Sequence, residues 1–163
     1  MTTPSLPRVA RQHHERLMFH VDQIPAAADR LLDASPSVAR ESTREVGEFL
    51  VDLLLPHIDA TEQTLYPELE RMFQNRHSMK PMRREHDELR RLVAQYTAMS
   101  DALDREQVTL GATLAIRRVM FSLYALLKVH LAEEQAYQRI IDKGVPSEIA
   151  DMLAAALEHP VTG

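Results

Sequence analysis

The apolar positions of the chain recur in steps of three and four rather than in alternation, the spacing that lines one face of an α-helix. Four long stretches carry this pattern. The first starts near Ser5-Leu6-Pro7 and sets Ala10, His14, Leu17, Val21, Ile24, Ala28 and Leu31 on one stripe, with a kink expected at Pro25. The second opens at Ser35-Pro36, an N-cap candidate followed by proline at the first helical position. It runs through Leu50, Leu54 and His57 to about Phe73, and Pro56 and Pro67 are expected to bend it. The third begins at Ser78 and aligns Met79, Met82, His86, Leu89, Val93, Tyr96 and Leu103. The fourth starts between Asp104 and Thr109 and carries Leu123, Leu127, His130, Glu134, Tyr137 and Ile141, with Gly144 as its C-cap. A short fifth helix at about 147–159 is expected to pack outside. Long helices with short connections predict an all-α fold, an antiparallel up-down-up-down four-helix bundle. It forms one domain over 1–163, with the bundle at about 5–144.

Composition narrows the chemistry. The 163 residues, 45% of them hydrophobic, suffice for one core, and four glycines leave little material for the turns of an all-β fold. With 19 Lys+Arg against 24 Asp+Glu, the net charge of -5 lacks the basic excess that binds a phosphate backbone, so no nucleic-acid partner is expected. The longest nearly apolar stretch, Val119 to Leu127, falls short of the ~20 residues that cross a bilayer, and the first residues show no apolar signal segment. The expectation is a soluble, cytoplasmic protein without a membrane partner. The absence of cysteine removes disulfides, thiolate metal sites and iron–sulfur clusters together. The eight histidines remain as the chemically informative residues.

Each long helix has one histidine on its apolar stripe: His14, His57, His86 and His130, separated by 43, 29 and 44 residues. An up-down-up-down bundle brings four positions to one height only if the excursions alternate long, short and long, with the long ones about equal. These do. Four imidazoles in one apolar layer are costly unless each ring nitrogen finds a partner, and metal ions supply one. Glu134, four residues after His130, shares its face. On the second helix the i+4 position is Thr61, and the carboxylate, Glu62, arrives one residue late, rotated about 140° from His57 in a regular helix. The apolar positions after His57 are shifted in the same sense. A π-bulge between 57 and 62, aided by Pro56, realigns them and turns Glu62 into the layer.

Four imidazoles and two carboxylates without sulfur suit a pair of iron ions, bridged by oxo or hydroxo; manganese and zinc stay open as alternatives. No Glu-x-x-His pair of the ferritin type and no His-Glu-x-x-His motif is present. His77 and His159 read as surface residues, Tyr66 before Pro67 as packing at a bend, and Met79, Met82, Met99 and Met120 as core fillers. The basic cluster Lys80, Arg83, Arg84, Arg90 and Arg91, interleaved with acids, reads as a solvated helix face.

The segments RQHHERL around His14, LLPHIDATEQTLYPEL around His57, PMRREHDEL around His86 and KVHLAEEQAYQRI around His130 resemble the hemerythrin-like, HHE cation-binding family. The resemblance implies a non-heme diiron bundle that binds oxygen, nitric oxide or peroxide, with His14, His57, His86, His130 and Glu134 at the family's ligand positions. Thr61 stands where the family usually has its first glutamate, and Met82 and Arg90 stand where a second histidine would accompany His86. His13, His20 or Tyr137 is then a candidate for the missing donor. The expected function is the binding or sensing of a small oxidant. The alternatives are a diiron enzyme that decomposes peroxide or reduces nitric oxide, and a metal-free helical interaction module. The oligomeric state is left open.

Overall fold

The computed structural model describes residues 6–33, 35–105 and 108–141, and all of their regular structure is helical. Helix α1 (Leu6–Asp33) continues through Pro25 without interruption. The second rod is a chain of five segments: α2 (Pro36–Phe49), a π-helical turn Leu50–Leu54, α3 (Leu55–Ala60), a second π-helical turn Thr61–Leu65, and α4 (Tyr66–Met72). Helices α5 (Lys80–Arg105) and α6 (Leu110–Ile141) complete the four rods seen among the described residues. The expected fifth helix and the Gly144 cap lie outside the described residues.

The two π turns have a common cause. Pro56 and Pro67 each sit in the first turn of the α segment that follows a π turn. Proline has no N–H, and its ring crowds the carbonyl four residues back, whereas a π turn moves the bonding one residue further. The Leu55 N–H accordingly bonds to the Leu50 carbonyl and that of Tyr66 to the Thr61 carbonyl. The widening expected between 57 and 62 is therefore centred slightly later, at 61–65, and a second one precedes Pro56.

The ends of the rods obey local rules with one departure. Ser35 stands at the N-cap of α2 and its carbonyl accepts the Ala39 N–H at 3.0 Å. Its hydroxyl, expected to cap the helix, instead pairs with the Ser37 hydroxyl at 2.9 Å. Proline at the first position has already removed one N–H that would need a cap. Helix α4 ends in a Schellman arrangement, with Gln74 at φ 49°, its N–H on the Arg71 carbonyl and the Asn75 N–H on the Glu70 carbonyl. Thr109 caps α6 by accepting the Ala112 N–H at 3.2 Å.

Contacts advance along one helix as they recede along its neighbour. Lys128 meets Asp22 and Arg117 meets Asp29 between α6 and α1, while Arg30 meets Glu45 and His13 meets His57 between α1 and the second rod. Arg83 meets Glu70, Arg90 meets Asp59 and the Tyr96 hydroxyl donates to the Thr43 carbonyl between α5 and the second rod. The core has two parts. The larger runs from Ala39 and Leu103 to Ile58, Leu89 and Leu131, and the smaller holds Leu65, Tyr66, Leu69, Met79 and Met82. The ionisable layer lies between them. By length and composition α6 is apolar enough to cross a membrane, and 33% of its most apolar stretch is buried.

A π turn carries one more residue than an α turn joining the same two faces. Deleting exposed Gln63 from the second π turn is therefore expected to leave a folded, helical bundle with cooperative thermal unfolding. Deleting exposed Ala94 from regular α5 rotates Tyr96 and Leu103 by about 100° and is expected to abolish cooperativity. Circular dichroism melts of the two variants test the difference.

Candidate metal centre

Five side chains from four rods form the layer: His14 on α1, His57 on α3, His86 on α5, and His130 and Glu134 on α6. All are buried, His86, His130 and Glu134 completely. Each residue sits on the inward stripe of its helix, and His130 and Glu134 share a face because four residues make just over one turn. The donor atoms fall into two groups, His14–His57–Glu134 and His86–His130–Glu134, each with its atoms within 4.8 Å of one another. Glu134 belongs to both.

In the first group, Oε2 of Glu134 accepts from Nε2 of His14 at 2.9 Å and from Nε2 of His57 at 2.8 Å. The other oxygen, Oε1, is buried and has no hydrogen-bond partner among the described residues. In the second group, Nε2 of His86 and Nε2 of His130 face each other at 3.0 Å, and the Tyr66 hydroxyl lies 3.0 Å from the His86 nitrogen.

The rear nitrogens explain why that confrontation matters. Nδ1 of His86 donates to Glu62 at 2.9 Å and Nδ1 of His130 donates to Glu85 at 2.8 Å. An ionised carboxylate only accepts, so both Nδ1 atoms carry protons, and in its neutral form each ring presents a lone pair at Nε2. With both rings in that form, two lone pairs face each other 3.0 Å apart, and one tyrosine proton serves only one of them. A cation, whether a proton shared by the two nitrogens or a metal ion, resolves the conflict, and a metal ion would also give the orphaned Oε1 a partner. The donor set therefore fits metal ions, with imidazole and carboxylate ligands and no sulfur. On the other side, Nδ1 of His57 is backed by Nε2 of His13 at 3.1 Å, a neutral partner in place of a carboxylate.

Several expected residues stand elsewhere. Glu62 does not enter either ligand group. The π turn brings it toward α5, but its carboxylate stops at the rear of His86, where Arg90 holds both its oxygens, at 3.0 and 2.9 Å. His13 lies behind His57, and His20 stacks on Phe49 at 5.2 Å in a groove between α1 and α2, outside both groups. Tyr137, expected to point into the layer, packs beside Phe73 and the smaller apolar cluster, because seven residues after His130 amount to about 10 Å along the helix. The phenol that does reach the layer is Tyr66. The π turn widens the helix between His57 and Tyr66 and brings both onto the inward side. Thr61 is buried there as well, with its hydroxyl turned back to the carbonyls of His57 and Ile58. Arg90 is a clamp on Glu62 and Asp59 rather than part of a solvated face. Glu85, the rear partner of His130, carries no sequence signal beyond its place one residue before His86.

Burial raises the Glu134 carboxyl, but the His57 charge and the hydrogen bonds from His14 and His57 outweigh it and hold the group well below the usual range. Burial raises the Glu62 carboxyl too, and the Arg90 and His86 hydrogen bonds bring it below its ordinary value. Burial and then the charge of His130 lower His86 to about 4, and burial followed by His57 lowers His13 to about 4. Burial and the Glu134 charge push the Tyr66 phenol up, so it is protonated in the metal-free protein.

A histidine lowered from its usual 6.5 to about 4 favours folding above pH 6.5, and that contribution fades as pH falls from 6.5 to about 4. For His86 the shift corresponds to ~3 kcal/mol. The metal-free protein is therefore expected to lose denaturant resistance across this window, and His86→Leu is expected to flatten the slope. Urea titrations between pH 7.5 and 4.5 measure both.

The sequence model of the hemerythrin HHE cation binding domain matches residues 7–97, a span that holds His14, His57, Glu62, Tyr66 and His86. His130 and Glu134 on α6 lie beyond it. No curated protein and no solved structure matches the chain. Since the match covers more than half of the sequence, and the described helices converge on histidine and glutamate groups able to hold metal, the chain belongs to the hemerythrin HHE cation-binding domain family.

Proposed function

We propose that the chain is a non-heme diiron protein that binds or senses a small oxidant: oxygen, nitric oxide or peroxide. The reading includes an up-down-up-down order for the four rods. The opposed Nε2 atoms of His86 and His130 carry it, because a cation is the simplest partner for both lone pairs. Glu134 shared between two donor groups supports two ions rather than one. His14 and His57 would hold one ion, His86 and His130 the other, and Glu134 would bridge them. The Tyr66 hydroxyl is close enough to His86 Nε2 to serve as a further oxygen donor on that side. Iron in such a site supplies reversible one-electron chemistry and open positions for a diatomic or peroxide ligand.

The chain's own residues do the orienting. Glu62 and Glu85 fix the tautomers of His86 and His130 and increase the basicity of their inner nitrogens. Arg90 keeps Glu62 ionised and aimed, with two hydrogen bonds from a planar guanidinium. The apolar clusters on either side of the layer exclude water and keep the local dielectric low.

Metal analysis of the purified protein is expected to give about two iron ions per chain, with near-ultraviolet absorption from the coupled ferric pair. Reversible spectral change on adding oxygen or nitric oxide without its consumption supports binding or sensing, whereas steady consumption assigns an enzyme. Tyr66→Phe is expected to alter the visible spectrum and Tyr137→Phe to leave it unchanged. Glu62→Gln and Arg90→Leu are expected to weaken metal retention about 10–100-fold in a chelator competition, the usual effect of removing partners of ligating imidazoles.

A further inference from the structure

Helix α6 has two faces of different fate. The inner one holds Leu123, Leu127, His130 and Glu134 in the bundle. The outer one is also apolar. Leu110 is 69% exposed, Val129 55% and Phe121 39%, and Leu114 and Ile140 are exposed as well. Half of the exposed large hydrophobic residues among the described ones lie on this helix. The steps from Leu114 through Arg118, Phe121, Ala125, Val129 and Ala132 to Ala136 are four, three, four, four, three and four, which keeps them on one stripe. A core helix this apolar would be buried on most sides, but only a third of its most apolar stretch is.

The stripe is complementary to itself. Reversed about Ala125, Phe121 falls opposite Val129, Leu114 opposite Ala136, and Arg118 opposite Ala132 and its neighbour Glu133. Arg118 and Glu133 are both exposed and make no ion pair among the described residues. The small side chain at the centre lets two helices approach closely, while large residues on either side meet smaller or β-branched ones. We infer that this face of α6 binds a second copy of the chain, with two α6 helices antiparallel, Ala125 on the two-fold axis and Arg118 of each copy paired with Glu133 of the other. The charges at the seam are of both signs, which suits a copy of the same helix better than an anionic lipid surface. A stripe ~33 Å long offers several hundred Å² per copy, at the low end of specific interfaces, so the association is concentration-dependent.

Sedimentation of the full-length protein over a wide concentration range is expected to show a monomer–dimer equilibrium. Arg118→Glu weakens it by about tenfold or more, since a two-fold interface carries each substitution twice, and adding Glu133→Arg restores it. The chain has no cysteine, so Ala125→Cys gives an unambiguous probe. Oxidation is expected to link this variant into a covalent dimer, and Ala98→Cys, exposed on α5, is expected to remain unlinked. A monomer at every concentration overturns the inference, as does a dimer that oxidation of the Ala125→Cys variant does not link. A monomeric Ala125→Cys variant whose thiol resists a maleimide assigns the face to residues 142–163 instead. Flotation with vesicles of phosphatidylglycerol and phosphatidylethanolamine that Val129→Glu abolishes, in an otherwise monomeric protein, assigns it to membrane.

Discussion

The structure turns on the meeting of two imidazole nitrogens in the middle of an apolar bundle. Nε2 of His86 and Nε2 of His130 stand 3.0 Å apart, and neither can be relieved by moving its proton, because Glu62 and Glu85 hold that proton on the far side of each ring. Such an arrangement is unfavourable in a protein with nothing between the rings and favourable with a cation there. The same logic extends across the layer to Glu134, whose second oxygen is buried without a donor among the described residues. Metal binding at this layer would thus be coupled to folding through one set of lone pairs.

The backs of the rings are not equivalent. His86 and His130 rest on carboxylates, one of them clamped by Arg90, whereas His57 rests on the neutral ring of His13. A carboxylate behind an imidazole increases its electron donation more than a neutral acceptor does. The His86–His130 side thereby presents the more strongly donating imidazoles of the two. The asymmetry comes from residues outside the ligand groups, set at the surface ends of the site.

The backbone makes room for this by departing from regular α-helix twice. Each π turn precedes a proline, so the missing donor and the crowded carbonyl fall where the helix is already widened. The second turn rotates Tyr66 inward and lets Glu62 reach α5. His57 lies on the short α-helical segment between them, held by ordinary bonding. The apolar clusters above and below keep the layer dry and fix the heights at which the rods meet.

The periodicity of apolar residues was enough to place four rods, and the alternating 43, 29 and 44 spacing was enough to bring His14, His57, His86 and His130 to one level. The face shared by His130 and Glu134 follows from helix geometry, and the offset of Glu62 from His57 already indicated a widened turn. Those are local or one-dimensional facts, readable because helical rise and rotation are nearly constant. What lay beyond them was decided between rods. Whether Glu62 meets the metal side or the rear of His86 depends on the reach of Arg90 from α5, and whether Tyr66 or Tyr137 enters the layer depends on a rotation of about one residue. Glu85 and His13 gain their roles only from rings supplied by other helices. Linear spacing specifies height and face, but the partner of each polar atom is set by angles and distances of a few ångströms across the bundle, which only packing determines.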